Sequence, residues 1–361
     1  MTNEASALPL PTSGYDVYVI GEPHGEREVH LLALNYLKTL NETIGLHDIM
    51  LEMIAPAYET EVNAYVLGLS DTALDEWCVL AKVLSGVRAL NETLPDDEKV
   101  RVHLVDLDSG AADSRAALIH THLQVVHSRL GAAAEHITIP ELSQFEGWSE
   151  DSALALVDQL EEAAGDRETI GDELETIRVS VHYHYLWQQY FRNSITLDEA
   201  VEHSSNIREG RTTQNIQQLL EELQGAPVLA LYGGWHAQKR PAMSSKKFLM
   251  NTVSWTQRLS EAGVPVYSVL AMGLSGWANV NVDVPPTRIN RDATQMRFSD
   301  GTSLADILAV APDYDIVYVD LRLDANASLR LGADFEDVPA GEVYDGLVLF
   351  REVTLLELVL P

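Results

Sequence analysis

The position of the chemically competent residues constrains this chain most. Each lies at the downstream end of a short apolar run. Residues 15–21 lead into Glu22-Pro23-His24, 49–51 into Glu52, 102–105 into Asp106, and 228–232 through Gly233-Gly234-Trp235 into His236. Short apolar, β-branched runs separated by helix-like segments read as parallel strands of an α/β sheet. Ligands of such sheets bind beyond the carboxyl ends of the strands. The register therefore predicts that Glu22, His24, Glu52, Asp106 and His236 meet at one sheet edge.

The connecting segments agree. Within residues 26–40, Val29, Leu32, Ala33, Tyr36, Leu37 and Leu40 follow helical spacing, with Glu26 and Glu28 in the first turn, where the helix dipole favours acids. Further helices are expected at 57–67 and 74–90. Residues 111–223 are almost entirely helical in pattern, too long for a simple crossover. More strands are expected at 264–271, 315–321 and 345–353. Residues 283–303, rich in Pro, Asp, Thr and Asn, read as an ordered loop or lid. The expected fold is α/β: a mostly parallel central sheet flanked by helices, with a long helical insertion at about 111–223 over the strand C-terminal edge. Residues 1–13 read as a flexible polar tail and 14–361 as a single domain.

Composition narrows the function. The 361 residues are 46% hydrophobic, enough for a full core. The single cysteine, Cys78, excludes an intrachain disulfide and a multi-cysteine zinc site, and reads as a buried thiol. There is no signal-peptide pattern and no apolar run near the ~18–20 residues that span a bilayer. A cytoplasmic protein with no membrane partner is expected. The net charge is −31, from 55 acidic and 24 basic residues, which repels phosphate backbones. The expected partner is a small-molecule substrate, not nucleic acid, and the sequence leaves the oligomeric state open. Only six lysines are present. An acidic, lysine-poor surface suits a high-salt cytoplasm or an ordinary acidic enzyme.

Gly21-Glu22-Pro23-His24-Gly25 is the strongest local motif, since its glycines permit a tight turn and close backbone approach. His30 reads as a packing or orienting histidine behind it. Glu52 needs a partner, because an isolated buried carboxylate is costly. Asp108 reads as a solvent-facing or capping residue. Arg208, Arg211, Thr212 and Asn215 share one helix face, and that helix leads into the strand carrying His236. An arginine there can bind a carboxylate or a developing oxyanion bidentately. His182 and His184, two apart on a helix, point in different directions and do not share a metal. With Tyr183, Tyr185, Trp187 and Tyr190 they either pack or line an aromatic pocket. No Gly-x-Ser-x-Gly, P-loop or Gly-x-Gly-x-x-Gly motif occurs.

The set resembles the erythromycin esterase / ChaN-like / TraB–Tiki superfamily. The matching pieces are Gly21-Glu22-Pro23-His24, Glu52, Arg208-Glu209 with Asn215 downstream, and Tyr232-Gly233-Gly234-Trp235-His236-Ala237. They span about residues 15–240. Tyr344 to Phe350 is similar to the closing strand of erythromycin esterases. The spacing departs from theirs: one residue separates Glu22 from His24, as in ChaN-like proteins, where erythromycin esterases usually have two. Gly233-Gly234 replaces His-Asn, Glu209 replaces aspartate, and Thr212 replaces methionine. The resemblance implies a site shared by hydrolases of esters and peptides, some metal-dependent, and by haem-binding proteins. It places Glu209 beside Arg208 in the catalytic set. Asp106, His182, Tyr183, Asn215 and Trp235 are expected to contact the substrate.

The expected function is hydrolysis of an ester or amide in a small molecule. In a metal-free mechanism His24 is the general base, oriented by Glu22 or Glu52, while His236 and Arg208 stabilise the oxyanion. In the alternative, some of Glu22, His24, Glu52 and His236 hold one divalent zinc, manganese or iron ion. A rival class is a haem or small-molecule binder without turnover, using a histidine or tyrosine iron ligand. The charge makes a separate prediction. If the acidic surface is a high-salt adaptation, the melting midpoint rises as salt goes from ~0.1 M to ~1 M, where the Debye length falls from about 10 to about 3 Å. A midpoint that stays flat or falls in thermal melts removes that reading.

Overall fold

The structure, a computed structural model, describes every residue except 1, 3, 5–7, 73–78, 110–113, 243–251, 280–284, 311, 333–337 and 357–361. The expectation for Cys78 falls outside the described residues, as does the first part of the helix expected at 74–90. Among the described residues, eight strands form one sheet: β1 (Val17–Glu22), β2 (Asp48–Leu51), β3 (Arg101–His103), β4 (Val228–Gly233), β5 (Val266–Ala278), β6 (Thr287–Asn290), β7 (Ile316–Asp320) and β8 (Gly346–Val353). Their order is β3-β2-β4-β1-β5-β8-β7, with β6 beside β5. The β5–β6 and β7–β8 pairs are antiparallel and the others parallel. β1, β2 and β4 are buried along their whole length, as expected of unbroken apolar strands covered on both faces.

The helices are α1 (Arg27–Ile44), α2 (Glu59–Val66), α3 (Ala81–Asn91), α4 (Arg115–Leu130), α5 (Leu142–Phe145), α6 (Glu150–Ala164), α7 (Glu168–Phe191), α8 (Leu197–Glu222), α9 (Trp255–Glu261), α10 (Leu304–Ala309) and α11 (Asp324–Ala327). α1 buries the stripe its spacing predicts: Val29, Leu32, Ala33, Tyr36, Leu37 and Leu40. It stops at Gly45, whose φ of 65° is a left-handed cap that hydrogen-bonds back to Asn41. No helix among the described residues is long and apolar enough to cross a membrane.

Two compact units emerge from the fold. One comprises residues 1–53, 61–103 and 217–361 and contains the whole sheet. The other comprises 54–60 and 104–216. It is helical, with its own core of Ile119, Leu123 and Val126 from α4, Leu156, Val157 and Leu160 from α6, and Leu174, Ile177 and Val181 from α7.

Two expectations need adjustment. The segment read as a loop at 283–303 contains β6, an exposed strand with little apolar character of its own. It forms because β5 runs to Ala278, seven residues beyond the expected end at 271, and offers an edge to pair with. In the segment read as a flexible tail, the Thr2 backbone pairs with Ile316 and Leu8 is buried.

Candidate active site

Strand order positions the site. β4 lies between β2 and β1, all three parallel, so their carboxyl ends share one edge. Glu22 is paired in register with Gly233, and the Glu52 N–H donates to Leu231. Both neighbouring strands thus deliver a glutamate beside the end of β4.

After β1 the backbone turns abruptly. His24 has φ 62° and Gly25 φ 77°. A left-handed conformation costs a non-glycine residue roughly 1–2 kcal/mol, although histidine is among the residues enriched there. Met53, just after Glu52, has φ 72°. Strain of this kind persists only where surrounding contacts over-determine it, and it concentrates at functional sites.

The turn brings His24 between the two glutamates. Its Nδ1 donates to Glu22 Oε1 at 3.1 Å, and its Nε2 lies 3.9 Å from Glu52 Oε2. A carboxylate only accepts, so Nδ1 carries the proton in the neutral ring and Nε2 keeps the lone pair. On the far side of Glu22, the fully buried His30 places Nε2 at 3.2 Å from Oε2, an ionic contact without hydrogen-bond geometry. His236 Nε2 stands 3.2 Å from Glu52 Oε1. Trp235 packs edge-on against the His236 ring at 4.8 Å. Three imidazoles and two carboxylates therefore alternate in the order His30, Glu22, His24, Glu52, His236. Glu22 is 2% exposed and the His24 side chain 27%, so His24 can meet a solute.

The alternation moves the protonation equilibria. Burial pushes the Glu22 carboxyl up, but His30 and His24 outweigh it and hold it at about 2. Burial lowers the His24 pKa, but the hydrogen bond to Glu22 and the charge of Glu52 raise it above its ordinary value of 6.5.

Gly233 is the residue whose role the motif concealed. Its N–H donates to Glu52 Oε2 at 2.5 Å. A Cβ on it would lie 2.9 Å from His24 Nε2 and 3.3 Å from Glu52 Oε2. The glycine is needed because the histidine stands in its side-chain space. Gly21 is likewise crowded, with the Ala237 Cβ 2.7 Å from the place of its missing side chain. The signal available in the sequence was the Gly-Gly pair directly after an apolar run.

The sheet unit thus brings Glu22, His24, Glu52 and His236 together. The remaining candidates form contacts within the helical unit. β3 ends at His103, before Asp106. Asp106 Oδ1 accepts from Arg208 Nε at 2.9 Å, Thr212 Oγ1 at 3.3 Å and the Leu107 N–H at 2.7 Å, while Oδ2 accepts from Arg208 Nη2. This carboxylate is committed to holding Arg208. Asn215 donates to the Val105 carbonyl at 2.9 Å, and Glu209 is buried. His182 Nδ1 contacts Glu150 at 2.6 Å, whereas His184 is buried against Gln188, so the two do point apart. Tyr183 is buried with the Arg115 guanidinium over its ring at 5.1 Å. Asp108, read as solvent-facing or capping, is fully buried and accepts from His122 Nδ1 at 2.9 Å. A helix histidine fourteen residues away gave no local sign of that pairing.

The metal reading needs carboxylate oxygens turned toward a common centre. Here Glu22 spends one on each of two histidines, and Glu52 spends one on the Gly233 N–H and one toward His236. No group of three or more His, Cys, Asp or Glu among the described residues is arranged to hold a metal ion. As placed, Glu22, His24, Glu52 and His236 do not fit one.

The architecture is shared with solved proteins. A Bacillus cereus protein matches with TM-score 0.68 at 16% identity, over 97% of this chain and 91% of that one. A histidine-to-asparagine mutant of the erythromycin esterase EreC, in its open conformation, matches with TM-score 0.67 at 13% identity, over 95% and 92%. The chain has the fold of an erythromycin esterase. A succinoglycan biosynthesis protein matches with TM-score 0.67 at 12% identity, over 96% and 90%. At these identities the likeness is one of fold. No family model and no curated protein matches the sequence.

Two tests follow from the geometry. Gly233→Ala should displace the His24 ring and shift its ¹⁵N signals, because the new Cβ takes the space of the imidazole, while circular dichroism stays unchanged. His24 signals unchanged from wild type in that variant would show that His24 tolerates the crowding. For Glu22, a carboxyl held below its unfolded value of 4.5 stabilises the folded state above that pH, and the contribution fades as pH falls toward 2. Urea titrations should therefore find Glu22→Gln less stable than wild type at neutral pH, with the gap closing between 4.5 and about 2. A gap that widens on acidification contradicts this assignment.

Proposed function

We propose that this protein is a hydrolase of an ester or amide bond in a small molecule, with His24 as general base. One observation carries the reading: a strained, accessible imidazole anchored through Nδ1 by a buried carboxylate, with its Nε2 facing a second one. The erythromycin esterase fold supports it at the level of architecture.

In this mechanism His24 Nε2 takes a proton from water as the water oxygen bonds to the carbonyl carbon. Glu22 holds the ring in the required tautomer and stabilises the imidazolium, as does Glu52. His236, oriented by Glu52, faces the developing oxyanion. When the tetrahedral intermediate collapses, the carbon–oxygen or carbon–nitrogen bond breaks. The leaving group then takes the proton back from His24 Nε2. Buried histidine–carboxylate contacts set up this cycle before the substrate arrives, which lowers the reorganisation needed in the reaction.

His24→Asn is the informative variant, because asparagine tolerates the left-handed backbone while lacking the base. It should lower turnover ~10²–10⁴-fold across a panel of esters, macrolactones and small amides, with the melting curve retained. Retained turnover would move the base to Glu22, Glu52 or His236. The pH profile gives a second check. Only unprotonated His24 is a base and its pKa is raised, so the acidic limb of kcat/KM should lie above 6.5. A limb at or below that value removes His24 from the role. A chelator should leave the rate unchanged. If no substrate turns over, with or without divalent ions, and the protein takes up haem stoichiometrically, the hydrolase reading fails.

A further inference from the structure

The helical spacing puts Glu26 in the first turn, where the helix dipole favours an acid. In the structure α1 starts at Arg27, Glu26 is its N-cap residue, and the Glu26 side chain is fully buried. Its Oε2 accepts the Gly273 N–H at 2.6 Å and its Oε1 accepts Arg291 Nη1 at 2.9 Å. The same Arg291 nitrogen donates to the Gly273 carbonyl, and the Arg291 N–H donates to Leu274 at 2.8 Å.

Sheet topology explains why a carboxylate is buried there. β1 pairs with β5 only as far as Gly21 opposite Leu270, while β5 continues to Ala278. Between Leu270 and Ser275 the β1-facing side of β5 has no strand beside it, because β1 has turned away into the His24 loop and β6 joins only from Ser275. The backbone N–H and C=O of Gly273 need partners there. Glu26 supplies the acceptor and Arg291 the donor, so the ion pair stands in for the missing strand. A buried carboxylate is costly unless both its oxygens are bonded, and here both are.

The anchor sits two residues from the strained histidine. Upstream, the turn is held by the Glu22 carbonyl, which accepts the Gly234 N–H at 2.7 Å. Downstream, Gly25 accepts from the Asn279 N–H at 3.0 Å, and the Glu26 backbone bridges to Leu355. These backbone ties fix the ends of the turn, and the Glu26 side chain supplies the charged lock.

We propose that Glu26 and Arg291 are positioning residues: their ion pair, closing the edge of β5 around a buried carboxylate, holds His24 in its left-handed conformation against Glu22. The proposal rests on the reading of His24 as general base. Neither residue touches the reacting atoms, and both act through the turn.

The test compares Glu26→Gln, Arg291→Gln and Arg291→Lys in the full-length protein. Two readouts separate positioning from simple support: the kcat-against-KM split, and the ¹⁵N signal of His24 Nδ1, which reports its hydrogen bond to Glu22 without any substrate. The two glutamine variants should lower kcat ~10-fold to ~100-fold with KM little changed, the signature of a displaced catalytic group. The His24 signal should move in the same variants. Arg291→Lys, which keeps the charge, should recover most of both. The proposal is overturned if the glutamine variants remain folded with His24 signal and kcat as in wild type. It is equally overturned if the signal changes only in step with global unfolding, since the pair is then a structural tie. If wild type turns over no substrate, the hydrolase reading falls while the ¹⁵N signal still judges the positioning claim.

Discussion

The contact between His24 and the space above Gly233 is the constraint on which the rest of the site depends. A glycine at the end of the central β4 leaves its side-chain volume to an imidazole delivered from β1 and offers its N–H to a carboxylate delivered from β2. Three parallel strands are thereby joined through side chains at the point where their ladder stops. None of the three segments makes such a centre alone. Glu22 without His30 and His24 would be a buried charge costing several kcal/mol, and the same holds for Glu52 without its N–H donor. Each group is tolerable only because the others are present.

Alternation of sign is the second consequence. The chain carries a net charge of −31, yet its buried centre interleaves two carboxylates with three imidazoles. The acidic excess is therefore a surface property and says little about the chemistry within. The helical unit solves the same problem in its own way, pairing Asp106 with Arg208 and Asp108 with His122. Both aspartates follow β3 closely, and both find their charge partner within that unit.

The extension of β5 beyond its neighbour shows how a strained turn creates demand elsewhere. When β1 bends away to place His24, the backbone of β5 loses its partner. Glu26 and Arg291 fill that gap, and β6 pairs with the overhang further along. A backbone conformation costly at one position is thus embedded in contacts drawn from residues 22 to 355.

Periodicity and the placement of polar residues at strand ends were enough to define the α/β class, the buried strands and the convergence of Glu22, His24, Glu52 and His236. Those features follow from local rules: apolar runs must be covered on both faces, and parallel strands share a carboxyl edge. The stripe of α1 was legible for the same reason. Partner choice was not legible. Asp106 binding Arg208, Asp108 binding His122, and Glu26 turning inward to Gly273 each join residues far apart in the chain, and no local pattern encodes such a meeting. β6 was missed because an edge strand formed by pairing needs no apolar alternation of its own. The sequence by itself determined that Glu22, His24, Glu52 and His236 reach the sheet edge, but it also sent Asp106 there, which is instead held by Arg208 in the helical unit. Only the tertiary structure decided which of them touch, because hydrogen bonds and ion pairs between distant segments depend on strand order and not on spacing.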